Sequence, residues 1–210
     1  MNKLIYLVII VILVFVFLQI RFQNKTNNDY DILQSNNPDK ETFEKIVNQK
    51  SPSIFTNVIN EDSKLRVEKL QKDPKSFNKL INSELNYYLI PMAVSYNYKI
   101  VKEDDKTKNK LIKETSSRHL IFQLKGTQKI ILFNPAQSQY LYPNKNESKI
   151  DYWNQNLKKF PLINKAQFIE IILREGQLMY IPKKWWYTTK STENTTHISS
   201  KSESIFSLFS

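Results

Sequence analysis

The sequence predicts an α+β fold, mostly β, standing behind one membrane-spanning helix. Three observations carry this reading. Residues 4–20 form an unbroken apolar run, and helical periodicity is confined to roughly the first 85 residues. From Pro91 onward, short alternating or wholly apolar runs are set apart by Gly126 and Gly176, the only two glycines in the chain. Helices first and strands afterwards is the order of an α+β domain whose sheets close as a sandwich or barrel.

The chain has 210 residues, 40% hydrophobic and 12% aromatic, enough for one domain with a core plus appendages. Its formal charge is +11. The lysines are scattered, however, and the longest basic runs are pairs such as Lys158-Lys159 and Lys183-Lys184. A basic chain without a clustered stripe reads as a solvated surface, which makes nucleic acid an unlikely partner and leaves attraction to anionic lipid open. The absence of cysteine excludes disulfides, zinc-thiolate sites and thiol catalysis.

The first element is "LIYLVIIVILVFVFLQI", residues 4–20. At about 1.5 Å per residue it spans about 25 Å, within reach of a tilted or thinned bilayer. A cleaved signal peptide is the competing reading. The run is longer than a usual signal core, and no small-x-small cleavage site follows, since the first alanine is Ala93. Residues 1–22 therefore read as an uncleaved single-pass signal-anchor, with the lipid bilayer as partner through residues 4–20. The charges on its two flanks do not decide its orientation. Sequons at Asn24, Asn146 and Asn194 match what composition alone yields, about three, and say nothing about topology.

Residues 23–37 are polar, Asn-rich and aperiodic, so they read as a linker to a domain over 38–210. Asn37 can cap a helix with Pro38 in its first turn, and Phe43, Ile46 and Val47 supply its apolar face. A short strand follows Pro52. A second helical stretch runs from about Asp62 to Leu85, restarting at Asp73-Pro74. "MAVSYNYKI" alternates as a half-buried strand, and "EDDKTKNK" is a charged loop. "RHLIFQL" and "QKIILFNP" are strands joined by "KGT". "FIEIILREGQLMYIP" repeats that design around Gly176, and "WWYTTK" supplies another strand. The tail "SSKSESIFSLFS" either forms a last strand through Ile205, Phe206, Leu208 and Phe209 or remains a loose amphipathic end.

Four pieces in order now resemble a known family: "DKETFEKIVNQKSPSIF", "RHLIFQLKGTQKIILFNPAQSQYLYP", "IDYWNQNLKKFP" and "REGQLMYIPKKWWY". Together, over about residues 38 to 206, they look like a cupin-like or Jumonji-C (JmjC) domain. The fold this resemblance implies is a double-stranded β-helix, two antiparallel sheets flanked by helices. Enzymes of that family are Fe(II)- and 2-oxoglutarate-dependent oxygenases, whose iron is held by an H-x-D/E pair and a second histidine after the tryptophan pair. Counted onto this chain, the first histidine falls at or near Lys113, the acid at or near Thr115 and the second histidine at Tyr187. The lysine that pairs with the 2-oxoglutarate carboxylate aligns with Gln128. An ammonium, a threonine hydroxyl and a phenol are not a ferrous donor set.

The only histidines, His119 and His197, invite a displaced metal site. His119 lacks the H-x-D/E partner and His197 lies well past the tryptophans, so a structural His119 facing the barrel interior and an exposed His197 are the expectation. Trp185 and Trp186 read as core and rim aromatics, with a ligand-stacking role as the alternative. Tyr140, Tyr142, Tyr152 and Trp153 read as loop packing rather than a groove. Glu103, Asp104 and Asp105 read as a solvated acidic loop. No serine elbow, P-loop or dinucleotide fingerprint is present.

The expectation is a membrane-anchored cupin/JmjC-like pseudoenzyme without iron or other cofactor, acting as a scaffold or binding protein for an unidentified protein or small molecule. His119, Gln128, Trp185 and Trp186 are its candidate pocket residues. A pocket holding a small acidic or sugar ligand on Lys113, Gln128 and Tyr187 is a variant of that reading. The alternative, from a different class, is an Fe(II)/2-oxoglutarate oxygenase with an atypical site built on His119 and His197.

Overall fold

The computed structural model describes residues 2–58, 88, 93–104 and 107–206. The second helical stretch expected near Asp62–Leu85 lies outside the described residues, as do Met92, Asp105, Leu208 and Phe209. The elements in order are α1 (Asn2–Asn24), β1 (Leu33–Asn36), α2 (Lys40–Val47), β2 (Ser53–Thr56), β3 (Ala93–Glu103), β4 (Ile112–Lys113), β5 (Arg118–Lys125), β6 (Gln128–Phe133), β7 (Pro143–Asn144), β8 (Glu147–Ser148), β9 (Ile169–Leu173), β10 (Leu178–Ile181), β11 (Trp186–Ser191) and β12 (Thr195–Ser204). Three 3₁₀ turns, Pro135–Tyr140, Tyr152–Asn154 and Pro161–Lys165, fill the long connections.

The strands form two six-stranded sheets, ordered β1-β2-β10-β5-β12-β3 and β7-β8-β4-β11-β6-β9. All pairings are antiparallel except β1 with β2. From β9 onward the chain alternates between sheets with every strand, which winds it into a double-stranded β-helix. The glycine turns therefore work differently from hairpins. β5 and β6 belong to opposite sheets, as do β9 and β10. Gly126 (φ +71°) and Gly176 (φ +78°) do take the left-handed conformation, but they carry the chain across the barrel. At Gly126 a Cβ would also meet the Asn194 carbonyl oxygen at 2.7 Å, so the turn has no room for a side chain.

Strand alternation sorts the apolar residues into three layers. Ile121 and Met179 of one sheet meet Ile130, Leu132, Ile171 and Tyr187 of the other, together with Trp185, to fill the space between the sheets. On the outer face of the first sheet, Phe43 and Val47 of α2 cover Phe55, Leu120, Phe122, Leu178 and Tyr180. On the outer face of the second, Ile131, Phe133 and Trp186 pack under Leu141, Ile150 and Ile163 from the long connections. Both faces of β5 and β6 are thus covered, which is why "HLIFQL" and "KIILF" are nearly continuous apolar runs.

The N-terminal region differs from expectation in two places. The body's first strand, β1, lies inside the stretch read as a linker, and it pairs with β2 in register from Leu33↔Ser53 to Asn36↔Thr56. The polar residues before it bond to the barrel rather than to solvent alone: Asn27 Nδ2 donates to Ser51 Oγ (2.8 Å), and Tyr30 OH to the Gln167 carbonyl (3.0 Å). The cap of α2 is Asp39, whose side chain accepts from Thr42 N at 2.8 Å. Asn37 cannot serve, because its own N–H donates to the Thr56 carbonyl as β1 ends and its φ is +44°.

At the other end, β12 stops at Ser204, so the last strand precedes Ile205 and Phe206 rather than running through them. Helix α1 is long and apolar enough to cross a bilayer, a test that a signal sequence also passes, and none of its most apolar window is buried in the body.

Candidate functional site

A cavity of about 390 Å³ opens into the barrel between β3, β12, β5 and β11. Each strand sends its inward alternation into it. β3 gives Lys99, Val101 and Glu103, β5 gives His119 and Ile121, β11 gives Tyr187 and Thr189, and β12 gives His197 and Ser199. Asn109, Lys110 and Ile112 close the rim.

One polar cluster is centred on Glu114, which sequence reasoning missed. Its main chain is clamped to the "PKKWW" turn, with Glu114 N donating to the Trp185 carbonyl and Lys184 N to the Glu114 carbonyl, both at 2.7 Å. Its side chain is 1% exposed. Oε1 accepts from Ser116 N (2.7 Å), and Oε2 lies 2.7 Å from His119 Nδ1 and 3.0 Å from Lys201 Nζ. The His119 approach is off the N–H axis, so it is a close polar contact more than an aligned hydrogen bond. Burial alone would raise the Glu114 pKa, but His119, Lys201 and the Ser116 amide together hold it far below the carboxylate range. His119 Nε2 meets Ser199 Oγ at 2.9 Å, and its ring packs on Tyr187 at 5.4 Å. Burial and the neighbouring Glu114 charge push the Tyr187 phenol well above its usual range, so it stays protonated.

A second cluster surrounds Glu103, which lies at the end of a strand rather than in a solvated loop. Its Oε2 accepts from Gln128 Nε2 (2.9 Å) and Ser191 Oγ (2.6 Å), and its Oε1 from Asn109 Nδ2 (2.8 Å). His197 is buried, not exposed as expected, because β12 runs between β3 and β5 and alternate residues must face inward. Burial lowers its pKa, opposed by Glu103, and its Nδ1 has no hydrogen-bond partner among the described residues.

The expected site residues are redistributed by strand parity. Tyr187 pairs with Ile112 and Trp186 with Lys113. Ile112 and Tyr187 therefore share the inner face, while Lys113 sides with the outward-facing Trp186. The inward i, i+2 pair is Ile112 and Glu114, one residue ahead of Lys113 and Thr115, and Thr115 is exposed. His119 lines the cavity, whereas Gln128 is bonded to Glu103 outside its lining. The tryptophans are not brought to the cavity. As neighbours in the chain they point oppositely, and Trp185 Nε1 donates to the Asn27 carbonyl (3.1 Å) while Trp186 Nε1 donates to Ser138 Oγ (2.8 Å).

The double-sheet winding, with a cavity at one end between β3, β5, β11 and β12, defines a cupin-type double-stranded β-helix protein. Comparison with known sequences agrees. The cupin-like domain family matches residues 103–201, so that part of the chain is similar to cupin-like and JmjC domains. Its relatives include human HSPB1-associated protein 1 (34% identical over 85 residues, 37% of this chain and 17% of the relative). JmjC domain-containing protein D of Dictyostelium discoideum is 35% identical over 86 residues, 38% of this chain and 19% of the relative. Human tRNA wybutosine-synthesizing protein 5 is 34% identical over 76 residues, 36% of this chain and 24% of the relative. The similarity thus spans less than a quarter of each of these proteins.

These residues do not reproduce an oxygenase iron site. Ile112 offers no donor atom, Tyr187 keeps its proton, and the Glu114 carboxylate is shared between an imidazole and an ammonium. Among the described residues, no group of three or more His, Asp or Glu side chains converges closely enough to hold a metal ion. This donor set does not suit Fe(II). What it can do is hold or pass a proton. Glu114, His119 and Ser199 stand in the acid–imidazole–hydroxyl order used to activate a nucleophile. Lys201 draws on the same carboxylate and so weakens its pull on the imidazole.

Proposed function

We propose that this chain is a membrane-attached cupin-like domain that works by binding a ligand or partner at the barrel mouth, and not as an oxygenase. The observation that carries the reading is the fate of the inward positions Ile112, Glu114 and Tyr187. One has no donor, one is neutralised by Lys201 and His119, and one remains a neutral phenol. The cupin-like match over residues 103–201 and the JmjC-named relative support the fold, and they leave the chemistry to the residues present here.

Two measurements test the reading. Full-length protein incubated anaerobically with ferrous salt, then supplied with 2-oxoglutarate and O₂, should retain no stoichiometric iron and release no succinate; both together would overturn it. Carbonate extraction should leave the chain in the membrane pellet, and its release to the supernatant would remove the membrane attachment.

A second reading rests on the Glu114–His119–Ser199 relay and makes the cavity a site of acyl transfer. It would give a stoichiometric burst of p-nitrophenolate from p-nitrophenyl acetate that is lost in Ser199→Ala. We expect no such burst, because the Lys201 ammonium competes for the carboxylate that the imidazole would need.

A further inference from the structure

A separate crevice of about 210 Å³ lies between α1 and the body. Its α1 wall is the stripe Phe15, Gln19, Phe22 and Gln23, and its body wall includes Lys50, Arg118 and Phe206. Phe15 meets Phe206 edge-on with ring centroids 6.2 Å apart, so the crevice has an apolar floor. Arg118 is already committed to Glu44 through two contacts, at 2.8 and 2.7 Å. Lys50 is different. It is only 7% exposed, and among the described residues its ammonium has no carboxylate within ion-pair distance and no hydrogen-bond acceptor. What faces it is the Phe22 ring, at 5.0 Å. A buried ammonium without a counter-charge is costly, and a cation–π contact offsets only part of that cost. Burial, helped by Arg118 and Lys183 and opposed by Glu44, pulls its pKa to about 8.

We infer that this crevice is a binding site for the headgroup of an anionic phospholipid, with the phosphate on Lys50 and the acyl chains along the apolar flank of α1. The apolar surface of α1 is exposed from Leu4 to Leu18 and runs directly into the crevice through Phe15 and Phe22. Whatever covers that surface therefore reaches the unpaired cation. An anionic phospholipid supplies both the apolar chains and the negative headgroup at their end. More positive charge stands at the same end of the helix, where Lys184 Nζ donates to the Asn24 carbonyl at 3.2 Å and Arg21 and Lys25 follow the apolar run. The inference rests on the reading that α1 lies in a bilayer.

The test uses the full chain in detergent micelles, exposed to equal amounts of phosphatidylglycerol and phosphatidylcholine with matched acyl chains and examined by native mass spectrometry. Phosphatidylglycerol should be retained about tenfold over phosphatidylcholine, as one charge-assisted contact implies. Lys50→Met should abolish that preference and Lys50→Arg should keep it. In the wild-type chain, phosphatidylglycerol but not phosphatidylcholine should slow acetylation of Lys50 by acetic anhydride, a readout that needs no variant to fold. Equal retention of the two lipids, or a preference unchanged in Lys50→Met, would overturn the site. Displacement of phosphatidylglycerol by equimolar inorganic phosphate would also overturn it, by showing that a free anion suffices. Carbonate extraction keeps the two readings apart. A chain that stays in the membrane without lipid preference refutes the headgroup site alone, and a chain that is released while keeping a Lys50-dependent preference refutes the spanning helix alone.

Discussion

Trp185→Ala is expected to lower the stability of the domain by about 4 kcal/mol, seen as a fall in melting temperature of roughly 8–16 °C by circular dichroism in detergent. The side chain is fully buried between the two sheets, packed in the cluster that holds Met179, Ile181 and Tyr187. An indole buries about 150–250 Å², worth about 4–6 kcal/mol at ~25 cal/mol per Å², and the cavity left behind collapses only in part. A second consequence separates Trp185 from its neighbour. Its Nε1–H holds the Asn27 carbonyl, and that bond ties the segment ahead of β1 to the barrel. Loss of the indole should therefore speed proteolysis near Asn27. Trp186→Ala empties the outer cluster instead and should leave that segment protected. A Trp185→Ala protein that melts within about 2 °C of wild type would show that the indole does not fill the barrel.

The contrast between the tryptophans also shows what a one-dimensional reading can resolve. The strand runs were legible because both faces of β5 and β6 are covered, and the turns because a left-handed backbone at Gly126 and Gly176 demands glycine. Sheet membership was not legible. A turn that folds a hairpin and a turn that crosses a barrel use the same residue types, and only the partners of β5 and β6 tell them apart. The resemblance located Tyr187 on the inner face but missed Glu114. The alignment across the loop put the pair at or near Lys113 and Thr115, whereas Ser116 and Ser117 bend the chain before β5 begins and the inward pair falls at Ile112 and Glu114. An Asn-rich stretch reads as linker by composition, yet in the fold the Asn27 amide donates to Ser51 Oγ and the Asn28 carbonyl accepts from Asn134 Nδ2. His197 and Glu103 sit beside charged or polar residues in sequence, and their inward placement follows from strand position alone.

Glu114→Gln should cost about 3 kcal/mol at neutral pH and, more tellingly, should change how stability depends on acid. The carboxylate is buried against His119 and Lys201, so the isosteric amide leaves the Lys201 ammonium without its anion and the His119 ring without its carboxylate contact while keeping the shape of the site. The sign of the pH effect follows from the direction of the shift. Glu114 has a pKa in the folded state far below the 4.5 it has in an unfolded chain, so above 4.5 both states are ionised and its contribution is fully present. As pH falls below 4.5, the unfolded chain takes up a proton that the folded chain refuses, and stability drops by up to about 1.4 kcal/mol per pH unit from this group. The glutamine variant has no such proton to bind. Urea denaturation at intervals from pH 7 to pH 3 should therefore give two curves separated by a constant gap down to about pH 5, with the wild type then falling toward the variant as the acid limb is entered. Lys201→Met should cost less than Glu114→Gln, because the lysine side chain is 38% exposed and its charge is partly solvated without the pair. Parallel curves across the whole range would mean that Glu114 binds its proton equally in the folded and unfolded chain, and a wild type that gained stability toward pH 4.5 would mean that its carboxyl is already protonated in the folded protein. The barrel mouth would then carry a neutral acid, with the Lys201 ammonium as its uncompensated charge.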